Sequence, residues 1–140
     1  MNWNLREGIK QAILANSVIA AIVGTNVSAT FAPAATPADG TWIVFTKIAG
    51  GEVGAMDGDG GLTHPVFQFT IGGNDKEKVD TVQQLLTDFN CTEFTYNSGS
   101  VSVPSNHVLT FIYRDDRDGW EEGSRVYKAA VDLEVWAYKN

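Results

Sequence analysis

One cysteine, two histidines and four prolines stand in 140 residues, and the first two shortages each close off a class of answers. Cys91 has no second cysteine with which to form an internal disulfide, and no cysteine cluster exists to hold zinc. The sequons at Asn26 and Asn90 matter only in a secreted chain, and the missing disulfide framework argues against secretion. Basic residues are also scarce: ten lysines and arginines face seventeen acids, a formal net charge of −7. Affinity for nucleic-acid phosphates comes from cations displacing counterions, so a phosphate-gripping protein is excluded, although one that lines a DNA path is not. Long apolar runs are absent as well. The richest, AILANSVIAAIVG, follows Arg6 and Lys10 in the manner of a signal peptide, but Glu7, Asn16 and Ser17 interrupt it. It is too short and too broken to span a bilayer, and it reads as folded structure.

What is present points to one domain spanning residues 1–140. The chain is 44% hydrophobic and 19% charged, ordinary for a globular protein. At this length it can bury about two-thirds of the surface its unfolded form exposes. Asn4 and Glu7 are spaced as a capping box, and Leu5, Ile9, Ala12 and Ile13 share a helical face. Asn16 and Ser17 break that stripe, Ser17 is placed to cap a second short turn, and Gly24 is a natural terminator. The first element is therefore a helix or a broken pair. Residues 32–40 (APAATPADG) lack periodicity and read as a loop or arm. TWIVFTKIAG (41–50) reads as a strand with Trp42, Val44 and Ile48 on one face. LTHPVFQFTIGG places Phe67, Phe69 and Ile71 together, with Pro65 at the strand's start or on an edge.

The clearest helix covers residues 75–89, where Asn74 and Glu77 form a second capping box and Val79, Val82, Leu85, Leu86 and Phe89 make a stripe. Short strands are expected at 92–96 and 100–103, then a strand over 107–113, a charged connection over 114–124 and a long strand over 125–138. In that last strand Tyr127, Ala129, Val131, Leu133, Val135 and Ala137 alternate with Lys128, Asp132 and Glu134, predicting one buried and one polar face. The order of elements predicts an α+β domain, two helices packed on a largely antiparallel sheet. Flexible loops are expected near 32–40, 50–61 and 114–123.

Candidate chemistry is thin. In GAMDGDGGLTHP, Asp57, Asp59 and Gly61 could begin a calcium loop, but Leu62 and Gln68 stand where its glycine and bidentate glutamate belong. No Gly-Lys-Ser/Thr makes a phosphate loop, and a strand rather than a helix comes next. His64 and His107 each adjoin a strand with no nucleophile elbow, so both read as structural or surface residues. Cys91 reads as a small buried hydrophobe. A ligand- or metal-binding role for His64, Asp57 and Asp59 stands as the least favoured alternative. The segment RDDRDGWEEGSR is different. Arg114, Asp115, Asp116, Arg117, Asp118, Glu121, Glu122 and Arg125 surround Trp120. Its simplest reading is a solvated connection. Tryptophan and arginine also mark protein–protein hot spots, and mixed charges suit an interface in which one subunit's carboxylates meet the next one's guanidiniums.

The order of elements and several strings resemble the tail-completion, or tail-terminator, proteins of long-tailed bacteriophages and prophages, including those that join tail to head. The resemblance is carried by IVGTNV, WIVFTKIAGG, GLTHPVFQFTI and the terminal DDRDGWEEGSRVYKAAVDLEVW, and it covers nearly the whole chain. It implies a virion structural protein of the tail or neck, assembled in the host cytoplasm, with no catalytic, metal or cofactor residues. It further implies a hexameric ring that ends the tail tube, with tube protein and head–tail connector as partners and neither membrane nor sequence-specific nucleic acid. A neck or head-completion protein of similar fold is the alternative. By position, contacts would involve Asp57 and Asp59 in one loop and Arg114 to Asp118, Trp120, Glu121 and Glu122 in another.

Overall fold

The alternation in the C-terminal third sets the frame for the rest of the chain. The computed structural model describes residues 5–24, 26–29, 40–49, 62–97, 106–121 and 126–139. Within these, the helices are α1 (Leu5–Leu14), α2 (Ser17–Val23) and α3 (Lys76–Thr87). The strands are β1 (Val27–Ala29), β2 (Trp42–Ala49), β3 (Leu62–Thr63), β4 (Val66–Gly73), β5 (Thr92–Asn97), β6 (Asn106–Glu121) and β7 (Val126–Lys139). All seven strands belong to one sheet of order β1-β2-β4-β7-β6-β5, with β3 pairing to β7. Every pairing is antiparallel except β1 with β2. The expected α+β class with a largely antiparallel sheet therefore holds, but the described residues contain three helices rather than two.

The third helix arises because the N-terminal segment is a broken pair. Asn16 adopts an extended backbone, and its side-chain oxygen accepts from the amides of Val18 and Ile19 at 3.0 and 3.1 Å. Asn16, not Ser17, is thus the cap. Gly24, at φ +61°, ends α2 as expected, its amide donating to the Ala20 carbonyl. The cap of α3 is displaced the other way, one residue later than Asn74: Asp75 accepts from the amides of Glu77 and Lys78. Asn4 lies outside the described residues.

All three helices lie on one face of the sheet. Ile9, Ala12, Ile13, Ile19, Val23, Val79, Val82 and Leu86 join Ile43, Phe45, Phe67, Phe69, Ile71, Val131, Leu133 and Val135 in one buried cluster. Phe45 stacks on Phe69 at 5.6 Å and meets Phe67 edge-on at 5.9 Å. The period-two pattern in β4 and β7 thus points its apolar set at the helices, as expected. The opposite face bears no helix among the described residues, yet it is not simply polar. Val44, Val108 and Ala130 are buried there outside the main cluster, and so is Glu134. Trp42 lies across Gly72 on that face, where any added Cβ would stand 2.2 Å from Cζ2 of the indole.

Three features of the strands set where side chains fall. β3 and β4 keep one register against β7, and His64–Pro65 merely interrupts them; Pro65 has no amide to donate, but its carbonyl accepts from Val135 at 2.9 Å. In β2 the register shifts between Lys47 and Ala49, making Ile48 the extra residue of a bulge. In β6 it shifts between Tyr113 and Asp115, at Arg114.

The charged connection expected over 114–123 is corrected by this structure. Residues 114–121 continue β6 and pair with β7 as far as Glu121 opposite Val126. Aspartate disfavours strands locally, but the long partner β7 supplies a full ladder and overrides that preference. β5 covers β6 only to Phe111, so beyond that point β6 is a sheet edge among the described residues. Charged side chains on an edge are a usual device against unwanted pairing. Residues 32–39 and 50–61, the other expected loops, lie outside the described residues, as does the strand expected over 100–103.

Candidate assembly surface

The strand assignment sorts the charged residues onto two faces. Cross-strand partners share a face, so Asp116 (opposite Val131) and Asp118 (opposite Ala129) lie on the helix side. Asp115 and Arg117, opposite Asp132 and Ala130, lie on the helix-free side. The bulge turns Arg114 to that side too, where it pairs with Glu134.

Glu134 is 7% exposed, and both its oxygens are occupied. Arg114 donates to Oε2 and the Trp136 indole N–H donates to Oε1. Burial alone would raise its pKa, but the hydrogen bonds from Arg114 and Trp136 and the Arg114 charge outweigh it and hold the carboxyl below its usual range. His64 stacks on Trp136 at 4.6 Å. Beside this group, Arg117 donates to both oxygens of Asp132 at 3.1 and 3.4 Å and lies 3.7 Å from Asp115. The pairing with Asp132 raises the Arg117 pKa further. A shallow hollow of ≈ 230 Å³ adjoins them, floored by Ala129 and Ala130 and flanked by Gln68, Thr70 and Lys128.

On the helix side, Asp116 accepts from the Tyr113 hydroxyl and from Gln83 of α3 at 3.2 Å, tying the edge of the sheet to the helix layer. The bond to Asp116, with a smaller contribution from burial, pushes the Tyr113 pKa up to about 12. Asn90 adds a second tie, its side chain accepting from the Tyr113 amide at 2.8 Å.

Of the sequence candidates, Arg114, Asp115, Asp116, Arg117 and Asp118 are therefore gathered on one edge strand. Trp120 and Glu121 pair through their backbones with Tyr127 and Val126. Asp57, Asp59 and Glu122 lie outside the described residues. Both Arg114 and Arg117 already have carboxylate partners within their own chain, rather than carboxylates left for a neighbour. Sequence reasoning missed Glu134, Trp136 and His64 as members of this cluster. The signal was the glutamate in the most apolar stretch of β7, an acid between Leu133 and Val135 and two residues from a tryptophan. Cys91, expected to be buried, is exposed: it sits at φ +62° in the turn after α3, where its amide donates to the Phe111 carbonyl at 2.7 Å.

Among the described residues no three His, Cys, Asp or Glu side chains converge as a metal site. No helix among them is long and apolar enough to cross a membrane. The surface consists of an aromatic and ion-paired sheet face with a charged edge.

Comparison with solved structures finds the same architecture elsewhere. A chain from a structure described as "Virion of native gene transfer agent (GTA) particle" aligns over 96% of this chain and 94% of its own, with a TM-score of 0.59 and 17% identity. The fold is shared with a virion chain. No family model matches the sequence, and no curated protein matches it. At 17% identity the likeness concerns the fold alone, over nearly the whole length of both chains.

Proposed function

We propose that this chain is a virion structural protein that forms a hexameric ring on the end of a tail tube, stops tube polymerisation and joins the tail to the head connector. The observation that carries this reading is the shared fold with a virion chain over almost the whole length of both. The sequence resemblance to tail-terminator proteins supports it as well. In this reading the chain turns over no substrate and needs no cofactor. It resides in the virion after assembly in the host cytoplasm. The acidic balance of −7 suits a ring through which DNA passes without adhering.

Purified tail tubes test the proposal. Tubes incubated with this protein and then supplied with fresh tube protein should stop elongating, and electron microscopy should show a ring on the blocked end. Unchanged elongation at saturating protein would overturn the terminator role. Binding to the connector without binding to tubes would instead support a neck or head-completion protein.

A further inference from the structure

The sheet ends in two dissimilar edges, and each carries a patch that its own chain leaves uncovered among the described residues. At one edge β1 pairs with β2 only as far as Phe45, so the outer side of residues 46–49 has no partner there. The bulge residue Ile48 is 48% exposed, one of two large hydrophobic side chains so exposed among the described residues, and Lys47 beside it is also exposed. At the other edge an apolar groove of ≈ 310 Å³ opens between the C-terminal ends of α1 and α3 and strand β5. Ala12, Ala15, Leu85, Phe89, Phe94 and Phe111 line it, with Asp88 at its side and no basic residue among its walls. Among the described residues Asp88 makes no ion pair and accepts from the Gln84 side-chain amide at 2.9 Å.

We propose that this groove receives Ile48 and Lys47 of a second copy of the chain, joining copies head to tail. The inference deepens the ring reading and rests on it. Chemistry matches first: an isoleucine meets an aromatic and alanine wall, and the adjacent ammonium meets the Asp88 carboxylate. Position matches second. Ala49 stands opposite Val66, which faces Glu134 and then Ile112; the neighbouring row runs through Pro65, Val135 and Phe111 to Thr92. The two patches thus end adjacent rows of the sheet at opposite edges. Four strand spacings of about 4.8 Å separate them, roughly 19 Å, so a chain does not fill its own groove. A contact between two different patches is heterologous, and it generates a ring when its rotation closes.

Cys91 provides the test, because it is exposed and immediately precedes Thr92 and Glu93 of the groove wall. Ile48→Cys protein is oxidised with copper–phenanthroline under conditions where native mass spectrometry or microscopy shows rings, free or on tubes. A ladder of three or more linked subunits is expected on non-reducing gels. It should vanish on reduction and in the Ile48→Cys/Cys91→Ser variant, and wild type should give nothing above a dimer. Independently, Lys47→Glu should raise the concentration for half-assembly at least about tenfold, and adding Asp88→Lys should restore it. Rings that form without the ladder, and that Lys47→Glu leaves unchanged, overturn this contact while the ring reading stands. No assembly under any condition, tubes included, overturns both.

Discussion

Replacing Arg114 by methionine keeps most of the side chain's apolar stem but removes the charge that compensates Glu134. The Glu134 side chain is 10% exposed and that of Arg114 is 54% exposed, so the pair lies between two known regimes. Breaking a fully buried pair by removing one partner costs about 3–5 kcal/mol, whereas an exposed pair is worth about 0–1. Solvent at Arg114 screens part of the interaction, which places the expected loss near 2 kcal/mol at neutral pH. With a urea dependence of about 2 kcal/mol per molar, the unfolding midpoint should fall by roughly 1 M at unchanged slope. The pH dependence gives a second check. The folded pKa of Glu134 is depressed, so its contribution is fully present above the unfolded value of about 4.3 and is lost as pH falls through the folded pKa. In Arg114→Met the carboxylate is left with the indole N–H alone, burial acts against its charge, and protonation relieves the cost. The gap between wild type and variant should therefore be widest near pH 7 and close on acidification below about pH 4. Adding Glu134→Gln should recover much of the loss, since the amide oxygen still accepts from Trp136 without carrying charge. A variant within about 0.5 kcal/mol of wild type from pH 7 to pH 4 would refute the argument.

Gly72→Ala forces the Trp42 indole off the sheet, because the new Cβ would lie 2.2 Å from Cζ2; a loss of about 1–3 kcal/mol is expected, with a changed tryptophan emission spectrum in the folded protein. Asp75→Ala removes the cap of α3 and should cost about 1 kcal/mol by urea titration, whereas Asn74→Ala should cost little. Tyr113, with its pKa pushed to about 12, should ionise well above the usual tyrosine range in an alkaline absorbance titration, and Asp116→Asn should bring its transition down. Its raised pKa means that this bond contributes below the unfolded value of about 10 and is lost as pH rises through 12.

Much of the fold was legible because its signals are local and repeated. The face shared by Phe67, Phe69 and Ile71 and the α3 stripe of Val79, Val82 and Leu86 survived, and the alternation of Tyr127 to Ala137 held on the helix side, although Ala130 and Glu134 on the other face are buried as well. Caps were legible in kind but not in position, since neighbouring Asn, Ser and Asp side chains compete for the same amides and backbone geometry chooses between them. The charged segment after Tyr113 misled in the opposite way. Its composition is that of a solvated turn, and only the presence of β7 alongside makes it a strand.

The sequence by itself determined an acidic, single-sheet α+β chain with no cysteine or histidine framework for chemistry. These properties follow from composition and from periods of two and 3.6 residues, which report what each segment must bury. Tertiary structure alone decided that Arg114 meets Glu134 and Arg117 meets Asp132, fifteen to twenty positions apart, and that Ile48 is turned outward. A bulge inserts one residue and reverses which face the side chains take, and no local preference records where that residue will fall. The uncovered edges, on which the proposed assembly depends, likewise exist only once the order of strands is set.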